Sequence, residues 1–170
     1  MLTRTDIEKY FSFEKQAALI FLAAGAVIFL FAIISWLLLK TYFWKGVALP
    51  AGVAGLLLLA VCYPTYQQSD EQRISNVYAF DMNPDLLKYQ ELPRMKGVTS
   101  RFIWLHAGES ALVIAGIVLI VLFRNKPEQA FWYGVGCSLA AIAAALLITD
   151  IFAARQAAQY TRQLNSLFKH

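Results

Sequence analysis

Charge is what this chain has least of. Of its 170 residues 15% are Asp, Glu, Lys or Arg, while 59% are hydrophobic. A soluble domain carries about a quarter charged residues, so the shortfall excludes an ordinary water-exposed surface. Cysteine is nearly absent. Cys62 and Cys137 fall near opposite ends of two different apolar runs, and a disulfide needs Cα atoms within about 7 Å, so no bridge within one chain is expected. Two thiols also make no metal site by themselves. The catalytic signatures G-x-S-x-G, H-E-x-x-H, Walker A and paired C-x-x-C are all missing. The expectation is a non-enzyme with no cofactor. A dense basic patch is missing as well: the net charge is +4, but Lys and Arg alternate with acids, so no nucleic-acid partner is expected.

The apolar residues lie in four blocks, Gln16–Leu39, Gly46–Tyr63, Phe102–Phe123 and Phe131–Ala154. Each is about 18 to 25 residues long, enough for a helix to cross about 30 Å of hydrocarbon. Aromatic residues flank them, as interfacial anchors should: Phe43–Trp44, Tyr66, Trp104 and Phe131–Trp132–Tyr133. The expected fold is an all-α integral membrane protein, a single membrane domain of four transmembrane helices in an antiparallel bundle. The spans are 16–39, 46–66, 102–123 and 131–154, with a cytoplasmic loop at 67–101 and a tail at 155–170. The first span is not a cleavable signal peptide. Arg4, Lys9 and Lys15 before it are balanced by Asp6, Glu8 and Glu14, and no small-residue cleavage pattern follows.

Lys and Arg set the orientation. Arg4, Lys9, Lys15, Arg73, Lys88, Arg94, Lys96, Arg101, Arg155, Arg162 and Lys169 fall on the side of the termini and middle loop. Only Lys40, Lys45, Arg124 and Lys126 fall on the other. The positive-inside rule therefore places both termini in the cytoplasm, in a cell inner (plasma) membrane.

Several local signals refine this outline. Thr5 and Glu8 have the spacing of a capping box, followed by a short amphipathic lead-in of Ile7, Tyr10, Phe11 and Phe13. The outer loops "KTYFWKG" and "RNKPEQA" are tight and force their flanking helices to be antiparallel neighbours. Pro84 can open a short helix through Leu92. From Met95 the spacing Met95, Val98, Phe102, Leu105 fits one helical face, so the third helix should start before its span. The tail should extend the fourth helix, anchored by Leu164, Leu167 and Phe168.

An internal repeat runs through the chain. "FWKGVALPAG" (Phe43–Gly52) parallels "FWYGVGCSLA" (Phe131–Ala140), and "LAAGAVIF" (Leu22–Phe29) parallels "VIAGIVLI" (Val113–Ile120). Both halves begin inside, so the repeat implies two similar helical hairpins related by an axis along the membrane normal. Ala48, Ala51, Gly52 and Gly55 on helix two supply small-residue packing faces, as do Gly136, Ala140, Ala141 and Ala143–Ala145 on helix four. Lipid gives no hydrophobic drive for helices to associate, so close backbone approach must. Pro50 falls in the first two turns of its span, where a missing donor costs least.

Ionisable residues at membrane depth are expensive and mark sites. His106 and Glu109, three apart, project from one helix face. Asp150 should lie at similar depth on the next helix, with Arg101 and Arg155 one to two turns nearer the cytoplasm. These five form the expected intramembrane polar cluster. It is read first as a structural charge network, second as a proton or cation path, and third as a metal or catalytic centre, for which a lone H-x-x-E is weak. No metal is expected. Tyr78, Phe80, Leu87, Tyr89 and Arg94 in the middle loop are the expected partner-docking residues.

Four short spans with minimal outer loops point to a protein that acts by binding a membrane or cytoplasmic protein partner: an adaptor, a regulatory subunit, or an immunity protein against a membrane-targeting toxin. The alternative is a channel or transporter subunit, which must be a homo-oligomer because four helices of this apolarity enclose no pore.

Overall fold

The computed structural model describes residues 2–168; Lys169, counted above among the cytoplasmic cations, and the terminal His170 lie outside the described residues. Four long helices fill almost all of this range: α1 Arg4–Leu37, α2 Tyr42–Met82, α3 Pro84–Phe123 and α4 Pro127–Ser166. Each holds an apolar stretch long enough to cross a membrane, and no strand forms among the described residues.

The helices begin and end where local chemistry dictates, with two corrections to the expectations above. The capping box lies two residues earlier than expected. Thr3 is extended, its hydroxyl accepts from the Asp6 amide at 3.3 Å, and the Asp6 carboxylate accepts from the Thr3 amide at 2.9 Å. Thr5 is already inside the helix, and Glu8 pairs with Arg4 at 3.2 Å instead. The shorter Asp side chain closes the box at N3 as Glu can.

The second correction concerns residues 67–82, expected to begin a polar loop, which continue α2 as helix, while the helices expected from Pro84 and from Met95 merge into α3. α2 continues to Met82 and α3 starts at Pro84, leaving Asn83 as the only non-helical residue between them. Asn83 has φ −151° and ψ 81°, outside the helical region that a following proline disfavours. Pro84 then starts α3 at a position needing no amide donor. The polar residues that resembled a loop sit on helix surfaces, several bonding back to their own helix. Ser69 Oγ donates to the Thr65 carbonyl at 2.6 Å and Asn76 Nδ2 to the Gln72 carbonyl at 2.9 Å.

α2 also starts at Tyr42, so Pro50 is nine residues in, and α2 passes through both Pro50 and Pro64 without a break. Near the start of α3, Leu87–Glu91 form a π-helical turn, with the Leu92 amide bonded to the Leu87 carbonyl five residues back.

α2 and α4 form the central pair; α1 packs on α2 and α3 on α4. Along α1 and α2 the contacts run through the Lys15–Asp70 ion pair, the Gly25–Gly55 crossing and the Phe31–Trp44 rings at 6.2 Å. Along α3 and α4 they run through Thr99–Thr161 at 3.4 Å, the Gly116–Gly136 crossing and the Phe123–Trp132 rings at 6.4 Å. α2 meets α4 at the two Phe-Trp-x-Gly segments. A methyl placed on Gly46 would fall 2.0 Å from the Phe131 carbonyl oxygen, and one on Gly134 would fall 2.2 Å from that of Phe43. Each segment's glycine thus seats the other segment's backbone.

Two cores of different kind result. Within the apolar stretches the buried contacts are small: Ala32, Ala48 and Ala51, with Ile28 and Ile142 against them. Beyond them, at the end carrying both termini, a head packs large side chains: Ile7, Phe11, Leu87, Met95, Tyr160 and Leu164 are at most 2% exposed. The head contrasts in chemistry as well as size, since burial of large apolar groups stabilises only where water is the alternative. The α3 apolar stretch is the barest, with 6% of its residues buried against 17–22% in the other three.

Candidate functional site

The close α3–α4 crossing at Gly116, Gly136 and Ala140 brings the two expected carboxylates together. Glu109 on α3 and Asp150 on α4 are neighbours, with His106 close to Asp150. Glu109 Oε2 and His106 Nε2 are both buried without a hydrogen-bond partner, and the imidazole lies 6.1 Å from the Phe102 ring.

The two arginines form no ion pair with this group, although Arg101 lines the same open groove as Glu109. Neither Arg101 nor Arg155 forms an ion pair among the described residues, and both are exposed. Arg101 precedes Glu109 by eight residues, about 12 Å along the helix axis. Arg155 follows Asp150 by five, which turns it about 140° around α4, and its guanidinium sits 6.0 Å above the Phe152 ring. Among the described residues no three His, Cys, Asp or Glu side chains come together as a metal-binding group.

The five expected docking residues divide. Tyr78 and Tyr89 are 61% and 71% exposed. Phe80 is packed against the head core and Leu87 is fully buried in it. Arg94 is turned inward too. Its Nε and Nη2 both donate to the Glu91 carboxylate at 2.8 Å, and its guanidinium lies 5.6 Å over the Phe11 ring. Three of the five are therefore structural. The cause is the helical phase of 67–101, which places Phe80, Leu87 and Arg94 toward α1 and α4.

Reading that segment as a loop also hid two features. The first is an outward stripe on α2, Ile74, Tyr78 and Met82, which are 64%, 61% and 70% exposed. Their spacing of four is legible once the segment is taken as helix. The second is a buried polar group in the head. Glu91 is 4% exposed, held by Arg94, and Glu14 from α1 lies near both. Tyr10 and Tyr160 stack over this group, ring centroids 4.3 Å apart. Burial pushes the Glu14 carboxyl above its usual range, partly offset by the Arg94 charge, and pushes the Tyr10 and Tyr160 phenols up as well. Glu14 Oε2 and the Tyr160 hydroxyl have no hydrogen-bond partner. The group thus contains two carboxylates for one guanidinium.

Comparison with protein families, curated proteins and solved structures finds no match to this chain. Function is read from the geometry.

Proposed function

We propose that this chain is a non-enzymatic, four-span inner-membrane protein that acts by binding a partner protein through its cytoplasmic head. In this reading the helices form two antiparallel hairpins that repeat one unit. The reciprocal seating of Gly46 on Phe131 and of Gly134 on Phe43 supports that relationship. The Lys/Arg excess at the head end supports a cytoplasmic head and cytoplasmic termini.

The observation that carries the binding role is the stripe Ile74, Tyr78 and Met82, with Tyr89 exposed on α3. Exposed leucines along the four apolar stretches are what lipid covers. This stripe lies beyond those stretches and is left uncovered by the protein's own head core. Contiguous apolar surface facing water marks interaction sites. An adaptor, a regulatory subunit and an immunity protein against a membrane-targeting toxin all use such a surface, and the immunity role suits the small size and minimal outer loops.

A photo-crosslinking residue at Tyr78 or Met82 in living cells tests the role. The expected product is one adduct of defined mass from both positions, absent when the probe stands at Lys96 on the head. No adduct from either stripe position would sink the reading.

The alternative role, an oligomeric transporter or channel subunit, is favoured by one observation: Glu109 and Asp150 are neighbours with no Lys or Arg paired to either among the described residues. Proteoliposome flux tests it. Proton or cation flux in the wild type that falls in both Glu109→Gln and Asp150→Asn supports transport, and absence of wild-type flux removes it.

A further inference from the structure

The outer face of α3 carries an open groove of about 490 Å³. Arg101, Leu105, Gly108 and Leu112 are spaced by four, three and four residues, so they share one face of the helix. Gly108 is the floor. It has no side chain, and nothing lies within 4 Å of where a methyl would stand. Trp104 and Leu105 stand beside it, 78% and 49% exposed, and Glu109 closes one edge. From Arg101 to Leu112 the groove runs about 16 Å along the helix axis, close to half of the ~30 Å hydrocarbon thickness and so to one leaflet.

The groove has two chemically different ends. At the head end stands Arg101, exposed and without an ion pair among the described residues. Beyond it the lining turns apolar through Trp104, Leu105, Gly108 and Leu112. Glu109, the acid on this lining, lies about 12 Å from Arg101 along the axis. A guanidinium presents a planar fork of donors that fits a phosphate, and tryptophan favours headgroup level. An unpaired cation above an apolar slot is the complement of an anionic amphiphile. Protein leaves this face open, since only 6% of the α3 apolar stretch is buried.

We propose that this groove binds one anionic phospholipid, with its phosphate on the Arg101 guanidinium and an acyl chain in the slot over Gly108, between Trp104 and Leu112. A zwitterionic headgroup fits less well, because its ammonium meets the Arg101 charge and finds no acid beside it on this lining. The assignment rests on the reading of α3 as a membrane span and is independent of the stripe on α2. It also differs from the attraction of any cation to a negative membrane surface, which needs charge but no slot. Gly108 separates the two cases.

Native mass spectrometry of the full chain in detergent tests the site, by titration with phosphatidylglycerol or phosphatidylcholine of identical acyl chains. One phosphatidylglycerol should bind about fivefold more tightly than phosphatidylcholine, the worth of one arginine at an anionic headgroup. Arg101→Ala should lose that preference. Lys96→Ala, which removes an exposed cation of the same helix outside the groove, should keep it. Gly108→Leu should fill the slot and weaken phosphatidylglycerol binding several-fold with every charge in place. The open space at Gly108 leaves its fold intact, as circular dichroism will read; the exposed Arg101→Ala carries the test otherwise. Glycerol phosphate, a headgroup without a chain, should not displace the lipid. Equal binding of the two lipids, an equal loss in Lys96→Ala, unchanged binding in Gly108→Leu or displacement by glycerol phosphate would each overturn the site. Carbonate washing of liposomes carrying the chain separates the two failures. A chain that resists the wash yet shows no preference refutes the site alone, and one that is stripped off refutes the membrane reading with it.

Discussion

Adding one carbon at Gly46 should separate the two halves of this protein, while adding it at Gly108 should not. A methyl on Gly46 falls 2.0 Å from the Phe131 carbonyl oxygen, 2.9 Å from its carbonyl carbon and 3.0 Å from the Val135 nitrogen. Ordinary contacts lie near ~3.5 Å, so α2 and α4 must move apart by about 1.5 Å at this point. The obstacle is backbone, which has no rotamer to escape into. Overpacking costs about 1–3 kcal/mol, and a backbone clash belongs at the top of that range. Alanine's helix propensity returns about 1 kcal/mol, leaving a net destabilisation of about 2 kcal/mol. Gly108 has nothing within 4 Å of its methyl position, so only the propensity term acts there and Gly108→Ala should gain up to about 1 kcal/mol. Reversible unfolding in mixed micelles measures both. Gly134→Ala should match Gly46→Ala, its methyl meeting the Phe43 oxygen at 2.2 Å. The double variant should lose less than the sum, because one interface opens only once. Equal stability of Gly46→Ala and Gly108→Ala would refute the reasoning.

Other perturbations have defined outcomes. Arg94→Ala strands the Glu91 carboxylate in the head core and should cost about 3–5 kcal/mol in the same unfolding assay; Arg94→Lys should rescue little, because the two-point contact needs a fork. Glu14 has its carboxyl raised by burial above the ordinary 4.5, so the folded state holds this proton more tightly than the unfolded one. Its contribution to stability is greatest below pH 4.5 and falls as pH rises through the folded value. Glu14→Gln should therefore be more stable than wild type at neutral pH, with the difference vanishing in acid, as unfolding curves across pH will read. Thr3→Ala should cost about 1 kcal/mol through loss of the cap, whereas Thr5→Ala, two residues inside, should change stability by less than about 0.5 kcal/mol.

Much of the outline was legible in single residues and their spacing. Apolar runs of sufficient length at four places need no partner to be recognised, because transfer of a helix into an apolar phase sums over its own side chains. That Glu109 and Asp150 are neighbours on antiparallel helices accords with their equal distance from the helix ends in the sequence. The head was harder. Residues 67–82 look like a loop by polarity, yet a helix packed on one side only is amphipathic, so about half of its residues are polar. Tyr78 is exposed because it faces away from the other helices, and Arg94 is turned inward toward Phe11 and Glu91.

Sequence by itself determined the class: four helices long and apolar enough to cross a membrane, tight connections at one end, and polar extensions at the other. Composition and periodicity are properties of a segment, and they act before any segment meets another. Only the tertiary structure decided that α2 and α4 form the centre, that Gly46 and Gly134 are closed while Gly97 and Gly108 are open, and that Glu91 rather than Glu109 or Asp150 holds an arginine. Those outcomes depend on which faces meet. Glycine, alanine and arginine read the same in the chain whether a neighbouring helix lies 3 Å away or none does.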